Sequence, residues 1–179
     1  MMVLVIGGSG SGKSAWAEHY METVSERKYY LATMRAFDRE SEMRIERHRQ
    51  LRCGKGFLTI EQPVDIHKAA KKMESGEKAV LLECIGNLTA NEMFAGQEPA
   101  AEGAVAEKVV RDIAGLMKDV ARLVVVSNNV FEDGRVYDDT TMAYLRAMGR
   151  INEELAAMAD EVVEVVAGIP VPLKKGQKG

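Results

Sequence analysis

The residues best suited to chemistry lie close to the amino terminus. Residues 7–14 read Gly-Gly-Ser-Gly-Ser-Gly-Lys-Ser and directly follow an apolar run at residues 2–6. The pattern G-x-x-x-x-G-K-[ST] is typical of a loop that binds the phosphates of a nucleoside triphosphate. Glycines let backbone N–H groups surround phosphate oxygens, while Lys13 adds a positive charge and Ser14 offers a hydroxyl to Mg²⁺. The candidate phosphate-binding residues are Gly7, Gly8, Ser9, Gly10, Ser11, Gly12, Lys13 and Ser14.

The sequence around this loop supports the interpretation. The motif requires a strand before the loop and a helix after it, and both patterns are present at residues 2–6 and from Lys13 onward. The start of that helix would add its positive dipole end to the phosphate site. The alternative is a flexible Gly/Ser turn at the amino terminus, which this context disfavours.

A second candidate group is the carboxylate of Glu83. It ends the apolar run at residues 79–82, and a strand of this kind can place a carboxylate near the Mg²⁺ bound by Ser14. Aspartate is commoner at such a position. The alternative is a solvent-exposed carboxylate at a strand end, but the phosphate loop favours a metal or nucleotide role.

A basic helical pattern at residues 39–52 contains the third candidate group. Arg44, His48 and Arg52 follow an i, i+4, i+8 spacing that places them on one helical face. Arg47 and Arg49 flank the histidine, and nearby cations disfavour a charged imidazolium. A neutral imidazole can attack phosphorus, and the arginines can hold a triphosphate. The alternative is a solvated helix face with ion pairs to its own glutamates, which spacing alone favours.

Composition limits the class of protein. The chain has 179 residues, a net charge of −3, 46% hydrophobic residues and 28% charged residues. These values predict one globular domain at residues 1–173, with a flexible tail at 174–179. They predict no nucleic-acid partner and no membrane insertion. Cys53 and Cys84 form no metal-like motif, which indicates reduced thiols in the cytoplasm.

Strand and helix patterns alternate along the chain. Strands are predicted at 2–6, 28–32, 57–60, 79–83, 122–127, 161–166 and 169–173. Helices are predicted at 13–26, 39–52, 64–74, 87–95, 103–120 and 139–159. The runs at 79–82 and 123–126 are apolar without alternation, as in strands buried on both faces. The predicted fold class is therefore α/β of the P-loop NTPase type, with a mostly parallel central sheet covered by helices on both faces.

The chain lacks the sequence signature of one class of nucleotide-binding protein. Regulatory GTPases use N-K-x-D to recognise guanine, but the corresponding region at residues 127–130 reads Ser-Asn-Asn-Val. The absence of the lysine and aspartate argues against a Ras-like switch.

Taken together, these motifs resemble one enzyme family. Besides the phosphate loop, the chain has Tyr-Leu-Ala-Thr at 30–33, Leu-Leu-Glu-Cys at 81–84 and a D-x-E…R-I-x-x-H helix. Further matching positions are Asp38, Glu40, Arg44, Ile45, His48, the run 59–61, Asn91, the strand near 123–128, Arg146, Gly149, Asn152, 155–156 and 159–160. In order and extent these resemble the bifunctional adenosylcobinamide kinase/adenosylcobinamide-phosphate guanylyltransferase family of cobalamin assembly. The histidine helix combined with a phosphate loop is the most discriminating part.

The resemblance implies two reactions at one nucleotide site. A nucleoside triphosphate, GTP or ATP, phosphorylates a corrinoid alcohol, and GTP then gives GMP to a histidine and onward to the corrinoid phosphate. By matching position His48 is the guanylylated nucleophile, with Lys13 also catalytic and Ser14 and Glu83 as Mg²⁺ ligands. The implied nucleotide contacts beyond the loop are Thr33, Met34, Arg35, Arg49, Gln50, Leu51, Arg52, Glu61 and Glu83. The family also implies a homotrimer.

The sequence departs from the family pattern at three places. Position 10 is glycine where arginine is common, residues 127–131 read Ser-Asn-Asn-Val-Phe where the family has T-N-E-V-G, and the loop at 132–137 lacks a proline. These changes bear on the acceptor and on the kinase half. Two alternatives therefore remain: a single-activity guanylyltransferase or small-molecule kinase with another acceptor, and a non-catalytic nucleotide-binding regulator.

Overall fold

The computed structural model describes residues 1–36, 39–129 and 137–176. Within the helix at residues 39–52, it describes the backbone but not the side chains of residues 41, 44, 48 and 51. Asp38, the departures at 130–136 and the end of the tail at 177–179 lie outside the described residues.

A seven-stranded sheet runs through the described part of the chain. Its strands are β1 (Met2–Gly7), β2 (Arg27–Ala32), β3 (Phe57–Glu61), β4 (Lys78–Glu83), β5 (Arg122–Asn128), β6 (Glu161–Val166) and β7 (Ile169–Lys174). The spatial order is β3-β2-β4-β5-β1-β6-β7, with every pairing parallel except that of β6 with β7. The predicted mostly parallel sheet is confirmed.

Five α-helices and one 3₁₀ helix accompany the described strands. They are α1 (Lys13–Glu22), α2 (Arg39–Arg52), the 3₁₀ helix Ile66–Lys72, α3 (Ile85–Met93), α4 (Glu102–Asp119) and α5 (Asp139–Met158). The first helix was expected to reach residue 26 but ends at Glu22, where Thr23 caps it by donating its hydroxyl to the Tyr20 carbonyl at 2.7 Å.

The helix predicted at residues 64–74 is a shorter 3₁₀ helix, Ile66–Lys72. It begins after Asp65, whose φ of 50° and ψ of 52° are left-handed and cannot belong to a regular helix. Its hydrogen bonds span three residues, as from the Lys68 amide to the Asp65 carbonyl at 2.8 Å and from Met73 to Ala70 at 3.2 Å. A helix is therefore present within the predicted range, but it is of the 3₁₀ type and shorter than expected.

Two apolar layers hold helices on both faces of the sheet. One layer joins Leu82 and Val125 to α4 residues such as Ile113, and the other joins Leu81 and Val5 to α1. All five of these side chains are fully buried. Burial on both faces explains why β4 and β5 are apolar without alternation.

The carboxyl ends of the parallel strands bring the candidate residues together. Ala32 at the end of β2 is in register with Glu61 of β3 and Glu83 of β4, and the phosphate loop follows β1 at Gly7. Ligands of open α/β sheets bind at this edge. At the other end of the chain, β7 includes Lys174, which pairs with Val162, so the predicted tail at 174–179 overlaps the strand by one residue.

An ion-pair cluster ties the start of the 3₁₀ helix to α3 and α4. The Lys108 ammonium lies 2.8 Å from Asp65, 2.6 Å from Glu92 and 2.9 Å from Asp112. We call these three carboxylates the acidic cluster. Hydrogen bonds from Lys108 and Lys68 lower the pKa of Asp65 from 3.8 to about 2.

Candidate active site

The phosphate loop has the left-handed turns that its glycines allow. Gly10 has φ of +71° and Gly12 has φ of +90°, and a residue with a Cβ is strained in this region. The Ser11 amide donates to the Gly8 carbonyl at 3.2 Å, and the Trp16 amide donates to the Gly12 carbonyl at 3.0 Å where α1 begins. The predicted order of strand, loop and helix is present.

Lys13 folds back over this loop. Its ammonium donates to the Gly8 carbonyl at 2.9 Å, and the residue is only 8% exposed. Burial lowers the pKa of Lys13 below its ordinary value, while the neighbouring Glu83 carboxylate acts in the opposite direction. The ammonium is thereby held beside the loop, where bound phosphates would need a positive charge.

The β6–β7 turn supports the loop from behind. The Gly168 amide donates to the Ser11 carbonyl at 2.8 Å. A Cβ on Gly12 would lie 3.2 Å from the Gly168 Cα, so glycine at position 12 also allows this close approach. The last hairpin of the sheet therefore helps to set the shape of the phosphate site.

Ser14 and Glu83 meet at the start of α1. The Ser14 hydroxyl donates to Oε1 of Glu83, and the Tyr30 hydroxyl donates to Oε2 of the same carboxylate at 3.1 Å. A hydroxyl and a carboxylate next to a phosphate loop are the oxygen ligands that Mg²⁺ prefers. This donor set fits the predicted metal role of both residues.

Thr33 stabilises the backbone beside Glu83 with its side chain. Its hydroxyl donates toward the carbonyls of Glu83 at 3.0 Å and Cys84 at 2.9 Å, and it accepts from the Cys84 amide at 2.8 Å. The Asn91 amide donates to the Thr33 carbonyl at 2.7 Å and to the Pro63 carbonyl at 3.0 Å. Thr33 is fully buried, so its side chain links β2 to β4 at the site edge.

Helix α2 borders two cavities. A cavity of about 560 Å³ is lined by phosphate-loop residues together with Glu18, Arg47 and Lys55, and Lys55 pairs with Glu18 at 2.5 Å. A second cavity of about 650 Å³ includes Arg49 in its lining, and Arg49 pairs with a glutamate of β3. The full lining of the second cavity is Ala32, Met34, Arg35, Ala36, Glu42, Ile45, Glu46, Arg49, Arg52, Thr59, Glu61 and Pro63.

Arg52 has an unusual environment at the end of α2. It is 6% exposed, and its guanidinium carbon lies 3.5 Å from the centre of the Tyr30 ring. Its Nε and Nη1 atoms have no hydrogen-bond partner among the described residues. A buried guanidinium with free donors that lines the 650 Å³ cavity is suited to an oxyanion ligand.

Comparison with known proteins identifies the family. The model of the cobinamide kinase / cobinamide phosphate guanyltransferase family matches residues 3–173. The chain belongs to this family. None of the helices in the described part of this family member combines the length and apolar character needed to cross a bilayer.

Curated relatives of this kinase/guanyltransferase family align over nearly the whole chain. The bifunctional adenosylcobalamin biosynthesis protein CobU of Escherichia coli (strain K12) is 34% identical over 184 residues, which cover 97% of this chain and all of the relative. CobU of Salmonella typhimurium has the same identity and coverage. The bifunctional adenosylcobalamin biosynthesis protein CobP of Pseudomonas aeruginosa is 26% identical over 174 residues, covering 97% and 98% of the two chains.

A solved structure supports the fold. A protein from Pyrococcus horikoshii OT3 superposes with a TM-score of 0.56, covering 97% of this chain and 86% of its own, at 8% identity. Identity this low bears on architecture alone, and it agrees with the α/β fold.

The structure places most of the residues that the kinase/guanyltransferase resemblance singled out. Met34, Arg35, Arg49, Arg52 and Glu61 line the 650 Å³ cavity, and residues 9–14 line the 560 Å³ cavity. Gln50 is instead exposed, with its amide donating to Glu46 at 3.3 Å. The backbone of His48 lies in α2 between Arg47 and Arg49, whose side chains line different cavities, but its side chain and that of Leu51 are not described.

Sequence reasoning missed three residues at this family site. Tyr30 belongs to one of the matching motifs but has no role by resemblance, and the sequence alone assigns none to Glu18 or Lys55. Each acts through a partner distant in sequence, Tyr30 through Glu83 and Glu18 through Lys55. A run of tyrosines in an apolar strand carries no local signal for such a contact.

Two departures from the family pattern lie within the described residues. Gly10 has φ of +71°, and a Cβ built at this position would meet no atom within 4 Å. Glycine therefore avoids backbone strain there, while the surrounding space would admit a side chain. The Ser127 hydroxyl donates to Oδ1 of Asn152 at 2.5 Å, and the Asn129 amide donates to the Gly7 carbonyl at 3.0 Å. The amide residue at position 129 thus sits beside the start of the phosphate loop.

Proposed function

We propose that this chain is a bifunctional transferase that acts on a corrinoid alcohol. In the first reaction it transfers a phosphoryl group from a nucleoside triphosphate to the aminopropanol hydroxyl of adenosylcobinamide. In the second it transfers GMP from GTP to the resulting phosphate ester, giving adenosylcobinamide-GDP. The observation that carries this proposal is the α2 helix, whose one histidine lies between arginines that line the phosphate-loop cavity and a second cavity.

The kinase step needs an in-line transfer on the phosphate loop. The alcohol oxygen attacks the γ-phosphorus and releases its proton to solvent, the bond to the bridging oxygen breaks, and the nucleoside diphosphate leaves. Lys13 stabilises charge on the β- and γ-phosphates, and backbone N–H groups of residues 8–13 surround them. Ser14 and Glu83 would hold Mg²⁺, which would offset phosphate charge.

The guanylyl step proceeds by two displacements. A ring nitrogen of neutral His48 attacks the α-phosphorus of GTP, and the bond to pyrophosphate breaks. A phosphate oxygen of the acceptor then attacks the same phosphorus, the P–N bond breaks, and the histidine is regenerated. Splitting the transfer this way avoids holding GTP and a large corrinoid in one reactive complex.

The cavity of about 650 Å³ beside α2 is the proposed binding site of the guanylyl group. Arg49 and Arg52 would contact its phosphate, and Met34, Arg35 and Glu61 would line the nucleoside. Gln50 and Leu51 complete the proposed contacts by family resemblance. The same resemblance supports a homotrimer, and the two free thiols Cys53 and Cys84 support a cytoplasmic location.

A second candidate is a guanylyltransferase without the kinase activity. Asn129 favours it, since the family has a carboxylate at this position and the backbone here contacts the start of the phosphate loop. The non-catalytic regulator is disfavoured because Lys13, Ser14 and Glu83 are all present. Lys13 contacts the phosphate loop at Gly8, and Ser14 contacts Glu83.

Product analysis tests the proposal. The protein is incubated with adenosylcobinamide and ATP or GTP, and separately with adenosylcobinamide phosphate and GTP, and products are separated by chromatography. Formation of adenosylcobinamide-GDP from the phosphate supports the guanylyl step, and formation of the phosphate from the alcohol supports the kinase step. Guanylyl transfer without phosphorylation selects the second candidate, and neither product contradicts both.

A further inference from the structure

A small cavity lies between the Glu83 carboxylate and the end of α2. It measures about 70 Å³, and Tyr30, Arg52 and Glu83 are among its lining residues. Arg52 and Glu83 carry opposite charges, yet the carboxylate oxygens accept from Ser14 and Tyr30, and two guanidinium nitrogens have no partner among the described residues. The two charged groups therefore face one cavity without forming an ion pair.

Tyr30 lies between these two groups. The face of its ring lies 3.5 Å from the guanidinium carbon of Arg52, and its hydroxyl is 3.1 Å from Oε2 of Glu83. The side chain is 4% exposed, so its own freedom to move is small.

An ion pair between Arg52 and Glu83 would disable both groups. Opposite charges attract strongly where water is excluded, and a bidentate guanidinium would occupy both carboxylate oxygens. The carboxylate could then no longer bind the metal ion, and the guanidinium could no longer donate to phosphate oxygens. The site therefore needs a group that offers an aromatic ring to the guanidinium and a neutral hydrogen-bond donor to the carboxylate.

We propose that Tyr30 is a positioning residue that prevents Arg52 and Glu83 from pairing. It thereby keeps Glu83 available to Mg²⁺ and Arg52 available to a phosphate oxygen. The inference rests on the proposed function in one respect, namely that this edge binds a metal-nucleotide complex. It does not depend on which group is transferred.

Nucleotide binding with and without metal provides the test. The affinity for a fluorescent GTP analogue is measured across a range of free Mg²⁺, and binding of Mn²⁺ to the protein–GTP complex is measured by electron paramagnetic resonance. Tyr30→Phe keeps the ring and removes the hydroxyl. It is expected to weaken metal affinity in the complex about fivefold, the typical effect of one lost hydrogen bond.

Tyr29→Phe is the matched control. Tyr29 lies next to Tyr30 in β2, is equally buried at 2% exposure, and uses its hydroxyl to accept from the Glu74 amide at 3.0 Å on the other face of the sheet. The Tyr29→Phe variant loses a comparable hydrogen bond away from the site. The metal affinity of this variant is expected to match that of the unchanged protein.

A double substitution separates positioning from general damage. Tyr30→Leu removes both ring and hydroxyl, lets Arg52 reach Glu83, and is expected to weaken metal affinity more than tenfold. Adding Arg52→Met removes the competing cation, so metal affinity should recover at least threefold, while metal-free nucleotide affinity stays low. Arg52→Met alone removes the same charge with Tyr30 in place, and a purely structural role of Tyr30 would give no recovery beyond the effect of that single substitution.

The outcomes distinguish this inference from the proposed function. Unchanged metal affinity in Tyr30→Phe, or no recovery in the double variant, overturns the positioning role even if guanylyl transfer is observed. Metal-dependent nucleotide binding that responds as expected, in a protein that transfers no guanylyl group, upholds the positioning role and contradicts the proposed function.

Discussion

Replacing Gly12 with alanine tests how the phosphate loop is held in shape. Gly12 has φ of +90°, and an L-residue with a Cβ adopts a left-handed conformation at a cost of about 1–2 kcal/mol. The added Cβ would lie 3.2 Å from the Gly168 Cα, which is backbone and cannot rotate away. Overpacking of this kind adds about 1–3 kcal/mol. The free energy of unfolding should therefore fall by about 2–5 kcal/mol, the sum of both effects.

Gly10→Ala is the matched control in the same loop. Its φ of +71° imposes the same conformational cost, but a Cβ there meets no atom within 4 Å. Its expected loss is about 1–2 kcal/mol, from the left-handed conformation alone. The difference between the two variants isolates the contact with the β6–β7 turn.

Nucleotide affinity should follow the same order. Because the Gly168 amide donates to the Ser11 carbonyl, displacing the turn also moves the loop. If restoring the binding-competent loop costs about 1.4 kcal/mol, the Kd for the nucleotide rises tenfold. Gly12→Ala should therefore bind GTP at least tenfold more weakly than Gly10→Ala. Urea denaturation and calorimetric titration with GTP measure the two effects. Equal stabilities and equal affinities of the two variants would refute the supporting role of the turn.

Other substitutions test other parts of the structure. Lys13→Ala should impair phosphoryl and guanylyl transfer together, each by at least tenfold in initial rate; an unchanged rate for either reaction would require a second phosphate site. Lys108→Met should lower the urea midpoint at pH 7 because it removes the cation that contacts all three carboxylates of the acidic cluster, and this loss should shrink below pH 4 as the carboxylates become protonated. Stability contributed by Asp65, whose folded pKa of about 2 lies below 3.8, is present above about pH 4 and should fall as the pH drops toward 2, measured as the urea midpoint against pH. Arg47→Ala should raise the inhibition constant of pyrophosphate more than Arg49→Ala does, since Arg47 lines the phosphate-loop cavity; equal effects would contradict this division of the two arginines.

Elements with strong local rules were predictable from the sequence. The strands at 79–83 and 122–127 could be recognised because burial on both faces removes polar residues from a strand. The phosphate loop could be recognised because its motif has glycine at fixed positions, one of which, Gly12, has a left-handed φ of +90°. The helix at 39–52 has the same bounds in the structure, because its charged residues are strong helix formers and Gly54 follows it closely.

Features that depend on distant contacts were not predictable. The 3₁₀ helix follows from the left-handed Asp65, whose amide donates to Glu92 at 2.7 Å from α3. The roles of Thr33 and Tyr30 follow from the register that places β2 against β4, since both hydroxyls bond to residues about fifty positions away. A single sequence records the residues of such contacts but not their pairing.

Covalent labelling of His48 tests the central claim most directly. The protein is incubated with GTP labelled at the α-phosphate, without acceptor, and the label on protein is followed through acid and base treatment and located by peptide mapping. A phosphoramidate at His48 is acid-labile and base-stable, is absent from His48→Ala, and is released when adenosylcobinamide phosphate is added. Label that persists in His48→Ala, or label that maps to another residue, contradicts the account.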